Sequence, residues 1–136
     1  MADARIDNAP IIVTGSGSAK RGAGLEGSYR MIRLLGRGTM SSVYLAEQLS
    51  MARRVALKIL SPAFAADPEF VDRFLKEARA SARLNHPNIV GAIDFGELDS
   101  RYFLVMEFVD GDTLSALIAR EAPLDETRVI AIGRQA

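Results

Sequence analysis

The chain has 136 residues, 49% of them hydrophobic, enough for one small domain with its own core or for a piece of a larger one. Its 17 basic residues balance 17 acidic ones, so no general field draws it to nucleic acid or to an anionic membrane, and partners must be chosen by a local site. With no cysteine and a single histidine, disulfide frameworks and thiolate or histidine-built metal sites are excluded.

Met1 to Gly27 is rich in Ala, Gly and Ser, interrupted only by Ile11-Ile12-Val13, and is expected to be a flexible leader that buries too little to offset its ordering entropy. Gly15 to Lys20 is superficially like a phosphate-binding loop. It lacks the Gly directly before Lys20 and the Ser or Thr directly after it, so no ligand is expected there. No stretch approaches the ~18 to 20 apolar residues that span a bilayer. Asp3 and Asp7 stand where a signal peptide would carry cations and an apolar core, and the expected location is the cytoplasm.

Order is expected from Tyr29. Met31 to Leu35 reads as a strand, Gly36 to Val43 as a turn dense in small residues, Val43 to Ala46 as a second strand and Val55 to Ile59 as a third, giving an antiparallel meander. Asp67 as N-cap, Pro68 at the first helical position and Glu69 near the positive dipole end predict a helix running to about Leu84. His86-Pro87-Asn88 breaks it. Ile89 to Phe95 and Tyr102 to Phe108 then read as two further strands, joined through Gly96 and Asp99-Ser100. Asp110-Gly111-Asp112 leads into a short helix from about Thr113 to Arg120, and Asp125 caps another containing Val129, Ile130 and Ile132. That helix shows no stop signal before Ala136 and leaves an apolar face without a cover, so a truncated domain is expected. No internal repeats occur.

The glycine turn admits several readings. It could open a dinucleotide-binding unit of Rossmann type, but Ser42-Val43-Tyr44-Leu45 after it is strand-like where that unit needs a helix. It could also be a hairpin without a ligand. Lys58 adds weight to a phosphate site: alternation puts Val55, Leu57 and Ile59 on one face of their strand and Ala56, Lys58 and Leu60 on the other, both mostly apolar. A lysine there needs an anion unless it snorkels to water. On the following helix, Phe70, Phe74, Ser81 and Leu84 form one stripe, and Glu77 falls within it, so Glu77 is the expected partner of Lys58. Pairing of Glu77 with Arg73 at i−4 is the alternative.

In this order, the motifs resemble the N-terminal lobe of a protein kinase, most closely the bacterial serine/threonine kinases of eukaryotic type. The resemblance covers about Tyr29 to Ala136. Gly36-x-Gly38-x-x-Ser41-x-Val43 is similar to the glycine-rich loop with Ser at its third glycine, Val55-Ala56-Leu57-Lys58 to the Val-Ala-Ile-Lys strand, and Glu77 to the glutamate of helix C. His86 to Val90 resembles the link from that helix into the fourth strand, and Met106 to Gly111 the gatekeeper and hinge.

The resemblance implies an α+β fold: a five-stranded antiparallel sheet with one helix as an ATP-binding lobe over 28–109, and the first two helices of the second lobe over 110–136. It further implies that Leu35, Val43 and Ala56 roof the adenine, that the Glu107 carbonyl and Val109 N–H read its edge, and that Met106 lines the back of the pocket. Gly36, Gly38 and Ser41 would cover the phosphates and Lys58 hold them, oriented by Glu77. Thr113 is either a ribose contact or the cap of the next helix, and His86 a loop residue. The catalytic-loop Asp and Asn have no counterpart here, and Asp94-Phe95-Gly96 precedes where that loop would stand, so it is read as a strand-end turn rather than a magnesium site. The implied activity is transfer of the γ-phosphoryl of ATP to a protein hydroxyl, with magnesium in a complete domain, and the chain alone is expected to be inactive. Self-association through the uncovered second-lobe helices is expected as well. A non-catalytic module that binds nucleotide or a kinase partner is the rival reading.

Overall fold

A computed structural model describes residues 29–98 and 100–136. The leader, its Gly15 to Lys20 segment and Asp99 lie outside the described residues. Three consecutive strands, β1 (Tyr29–Arg37), β2 (Ser41–Gln48) and β3 (Arg53–Leu60), form the meander that the alternation and turn residues predict. The chain then leaves the sheet through α1 (Pro62–Ala65) and α2 (Pro68–Ala82), and returns at the far edge as β4 (Ala92–Leu98). From there β5 (Arg101–Glu107) fills the gap beside β3, so the five strands lie in the order β1-β2-β3-β5-β4. Every pairing is antiparallel, which excludes the parallel sheet of a Rossmann unit. Two short helices follow, α3 (Leu114–Glu121) and α4 (Glu126–Gly133), and neither buries a residue; α4 stops at Gly133 with Arg134 as its C-cap, where the sequence reading expected no stop before Ala136.

Alternation in β3 divides the core between the two faces of the sheet. Val55 and Leu57 join Tyr29, Ala46, Phe103 and Val105 on one side. Tyr29 stands on an edge strand three places from β5, and the row of apolar side chains on this face joins it to the same cluster as Val105 and Phe103. Leu60 and Leu104 occupy the other face, covered by Phe74 and Ala78 of α2.

Three local features differ from the sequence expectation. The helix α1 was not foreseen, because four residues are too few to show a period; Ser61 anchors it, its carbonyl accepting from Phe64 and Ala65 N–H at 3.0 and 2.9 Å. The strand expected over Ile89 to Phe95 begins only at Ala92. Pro87-Asn88 curls back instead, with Asn88 N–H donating to His86 Nδ1 and Ile89 N–H to the His86 carbonyl, both at 3.1 Å, and Ile89 and Val90 are left exposed. Asp94-Phe95-Gly96 therefore lies inside β4, beside a register shift between Ala92 and Asp94, and not at a strand end.

Candidate nucleotide site

Register fixes which side chains stand together, because cross-strand partners share a face. Val43, Lys58 and Leu104 form one row across β2, β3 and β5, and Leu45, Ala56 and Met106 form the next. Val43, Ala56, Lys58 and Met106 thus share the face that α2 covers. Leu35 sits at the register shift between Leu34 and Gly36, at the mouth of the turn, and is 37% exposed.

The turn between β1 and β2 is closed by Gly38 N–H donating to the Ser41 carbonyl at 2.8 Å, and its tip is tied to β3 by Ser61 N–H donating to the Met40 carbonyl at 2.8 Å. Neither Gly36 nor Gly38 has a positive φ. A β-carbon at Gly36 would meet nothing within 4 Å, and one at Gly38 would make only an ordinary contact with the Ser41 carbonyl at 3.4 Å. The fold of the described residues does not itself demand glycine at either position.

Lys58 Nζ donates to Glu77 Oε1 at 2.8 Å and lies 5.9 Å from the centroid of the Phe74 ring. The lysine is well covered, its side chain 22% exposed, but that of Glu77 is 56% exposed. Glu77 is therefore not on the core-facing stripe the helical wheel assigned it. The buried face of α2 is Val71, Phe74, Leu75 and Ala78, rotated by roughly a quarter turn from the expected one, and Glu77 stands at its rim. The unforeseen α1 explains part of the rotation: Phe64 packs edge-to-face on Phe70, ring centroids 4.8 Å apart, and covers that side of the helix separately. Arg73 is engaged elsewhere, bonding Glu69 at 3.1 Å and lying over the Phe70 ring, so Glu77 pairs with Lys58. A small open cleft lies under the turn tip, lined by Met40, Ser41, Lys58, Phe74 and Glu77 among others.

Met106 is half-buried at the end of β5, and Glu107 and Val109 are exposed beyond it. Thr113 Oγ1 accepts from Ala116 N–H at 3.1 Å and caps α3, the second of the two roles its position allowed. Asp94 accepts from Phe95 N–H at 2.8 Å, and burial pushes its carboxyl above the usual range against that bond. No group of three or more metal-ligating side chains stands together among the described residues. Sequence reasoning missed Gly91, whose backbone meets Glu107; nothing in the local sequence signals a contact sixteen residues away.

The protein kinase domain family matches residues 29–136. The chain belongs to that family. It is 43% identical over 114 residues to the serine/threonine-protein kinase PrkC of Bacillus subtilis, covering 84% of this chain and 18% of that protein. PknE of Mycobacterium tuberculosis is 42% identical over 120 residues, covering 88% of this chain and 21% of PknE. The chain thus spans about a fifth of the length of the curated relatives it matches. Among solved structures, the PknI kinase domain of Mycobacterium tuberculosis superimposes with a TM-score of 0.64 at 40% identity, over 76% of this chain and 43% of that one. Rad53, solved with AMP-PNP, does so with a TM-score of 0.66 at 30% identity, over 79% and 28%. The five-stranded antiparallel sheet with its helices is a protein-kinase fold of the N-terminal-lobe type.

Proposed function

We propose that residues 28–109 are the ATP-binding lobe of a serine/threonine protein kinase and that 110–136 begin its second lobe. The observation that carries the reading is the Lys58–Glu77 pair at 2.8 Å beside a turn whose glycines the fold does not need. Glycines without a steric or torsional reason leave room for a backbone to approach a polyphosphate and turn N–H groups to it. In this reading Gly36, Gly38 and Ser41 cover the phosphates, Lys58 binds them, and Glu77 holds the ammonium in place. Leu35, Val43 and Ala56 roof the adenine, Met106 closes its back, and the Glu107 carbonyl and Val109 N–H read its edge. The Rad53 structure, which holds an ATP analogue on the same fold, supports it.

In the intact protein the γ-phosphoryl passes to a protein hydroxyl: the bond from the γ-phosphorus to the hydroxyl oxygen forms as the bond from the γ-phosphorus to the β–γ bridging oxygen breaks, ADP leaves with that oxygen, and the hydroxyl gives up its proton. Magnesium supplies charge neutralisation in that chemistry, but the described residues do not fit it, since Asp94 sits alone within β4. The cytoplasm, where ATP is plentiful, is the compartment that goes with this reading. The second reading is a module that binds nucleotide or a kinase partner without transferring phosphate. The chain by itself is inactive, and it self-associates through α3 and α4.

Calorimetric titration of the intact protein with ATP tests the site. Lys58→Met is expected to weaken binding about tenfold or more, as the loss of a charge-assisted contact predicts. Unchanged affinity removes Lys58 from the site, and binding without phosphotransfer by the intact protein establishes the second reading.

A further inference from the structure

Gly91 and Glu107 meet through two hydrogen bonds. Glu107 N–H donates to the Gly91 carbonyl at 2.9 Å, and Gly91 N–H donates to Glu107 Oε2 at 3.0 Å. A β-carbon at position 91 would stand 3.2 Å from Glu107 Cδ, closer than the carboxylate accepts without moving. Both backbone polar groups of Gly91 are therefore satisfied by one residue, across sixteen positions of sequence. Glu107 is the last residue of β5, so the sheet ladder ends with it. Its N–H bond holds the peptide plane before it and its carboxylate holds the side chain, so the Cα of Glu107 is restrained on two of its substituents and the range open to its carbonyl is narrowed.

We propose that the Glu107 side chain and Gly91 form a clasp that positions the Glu107 carbonyl, and that this clasp sets discrimination for a purine with an exocyclic amine at that edge. The proposal rests on the reading of Glu107 as an adenine contact. Glu107 acts on the base through its backbone, and its carboxylate is a positioning group that touches no ligand. A β-carbon at position 91 would press on the carboxylate at 3.2 Å and make it shift, which lengthens its bond to the Gly91 N–H.

The experiment compares ATP with inosine triphosphate, which carries the same phosphates but a carbonyl in place of the amine, by titration of the intact protein. Glu107→Ala and Gly91→Ala are each expected to shrink the ATP preference about fivefold, with the loss on the ATP side. Glu107→Gln, whose amide oxygen still accepts from Gly91 N–H, is expected to recover most of it. A merely structural role would weaken both nucleotides equally and leave the ratio unmoved, and that result overturns the proposal. Hydrogen exchange without nucleotide tests the clasp itself: the Gly91 amide should exchange about fivefold faster in Glu107→Ala, and unchanged exchange overturns it independently. If the parent protein binds ATP with no preference over inosine triphosphate while Gly91 exchange responds as expected, the adenine reading of Glu107 fails and the base-discrimination proposal falls with it.

Discussion

Lys58 and Glu77 meet at 2.8 Å with unequal exposure, 22% and 56%, and the exposed partner sets the strength of the pair. A fully buried pair broken on one side leaves a stranded charge at a cost of ~3 to 5 kcal/mol. Glu77 remains solvated, so the coupling measured in a double-mutant cycle of Lys58→Met and Glu77→Gln should be about 0.5 to 1 kcal/mol by denaturant unfolding. Coupling above ~2 kcal/mol would mean that Glu77 is buried in solution. The pairing itself was legible from the types and order of the two residues. Burial of Glu77 was misjudged, because a helical wheel gives relative angles and not the direction that faces the core. Asp94 makes the opposite case, a carboxyl raised chiefly by burial. A folded-state pKa above the unfolded one means that the native chain holds the proton more tightly. Asp94 then contributes stability below the ordinary carboxylate range and loses it as pH rises through its folded value. Asp94→Asn should therefore raise Tm at about pH 7, with the gain fading toward about pH 4. A gain independent of pH would assign the effect to something other than titration.

The starts of the helices were the most legible elements, because capping is a local interaction. Asp67 Oδ1 accepts from Glu69 N–H at 2.9 Å and Asp125 Oδ1 accepts from Arg128 N–H at 2.9 Å, as their sequence positions predict. The cap of α2 is nevertheless the smaller term in its stability. Asp67→Ala should cost ~1 kcal/mol, whereas Phe74→Ala, which empties the contact with Leu60 and Leu104, should cost ~3 to 5 kcal/mol. Chemical denaturation of both variants orders them, and a larger effect at Asp67 would mean that local capping dominates tertiary burial. Strand edges were less legible than helix starts. Ile89 and Val90 have strand-forming side chains, yet the bonds of Asn88 and Ile89 back to His86 hold them in a turn.

At the scale of the whole molecule, α3 and α4 pack apart from the two cores. Leu114, Ile118, Val129 and Ile130 are 48%, 46%, 51% and 48% exposed, while Arg120, Arg128, Asp112 and Glu121 form ion pairs linking the two helices. Ion pairs at solvent-exposed positions cannot offset that much uncovered apolar surface. The 136-residue chain should bind an apolar dye strongly and sediment as a concentration-dependent oligomer, and a monomer with low dye binding would contradict this. The sequence by itself determined the strands, the capped helix starts, the order of the motifs and the pairing of Lys58 with Glu77, because turn chemistry, capping and alternation act over a few residues. Only the tertiary structure decided that β5 lies between β3 and β4, that Tyr29 of the edge strand joins the cluster of Val55, Leu57 and Val105, that α2 turns Glu77 to its rim, and that Gly91 clasps Glu107. Each of those is a contact between segments far apart in the chain, selected by which apolar faces can be buried together, and no local pattern encodes that choice.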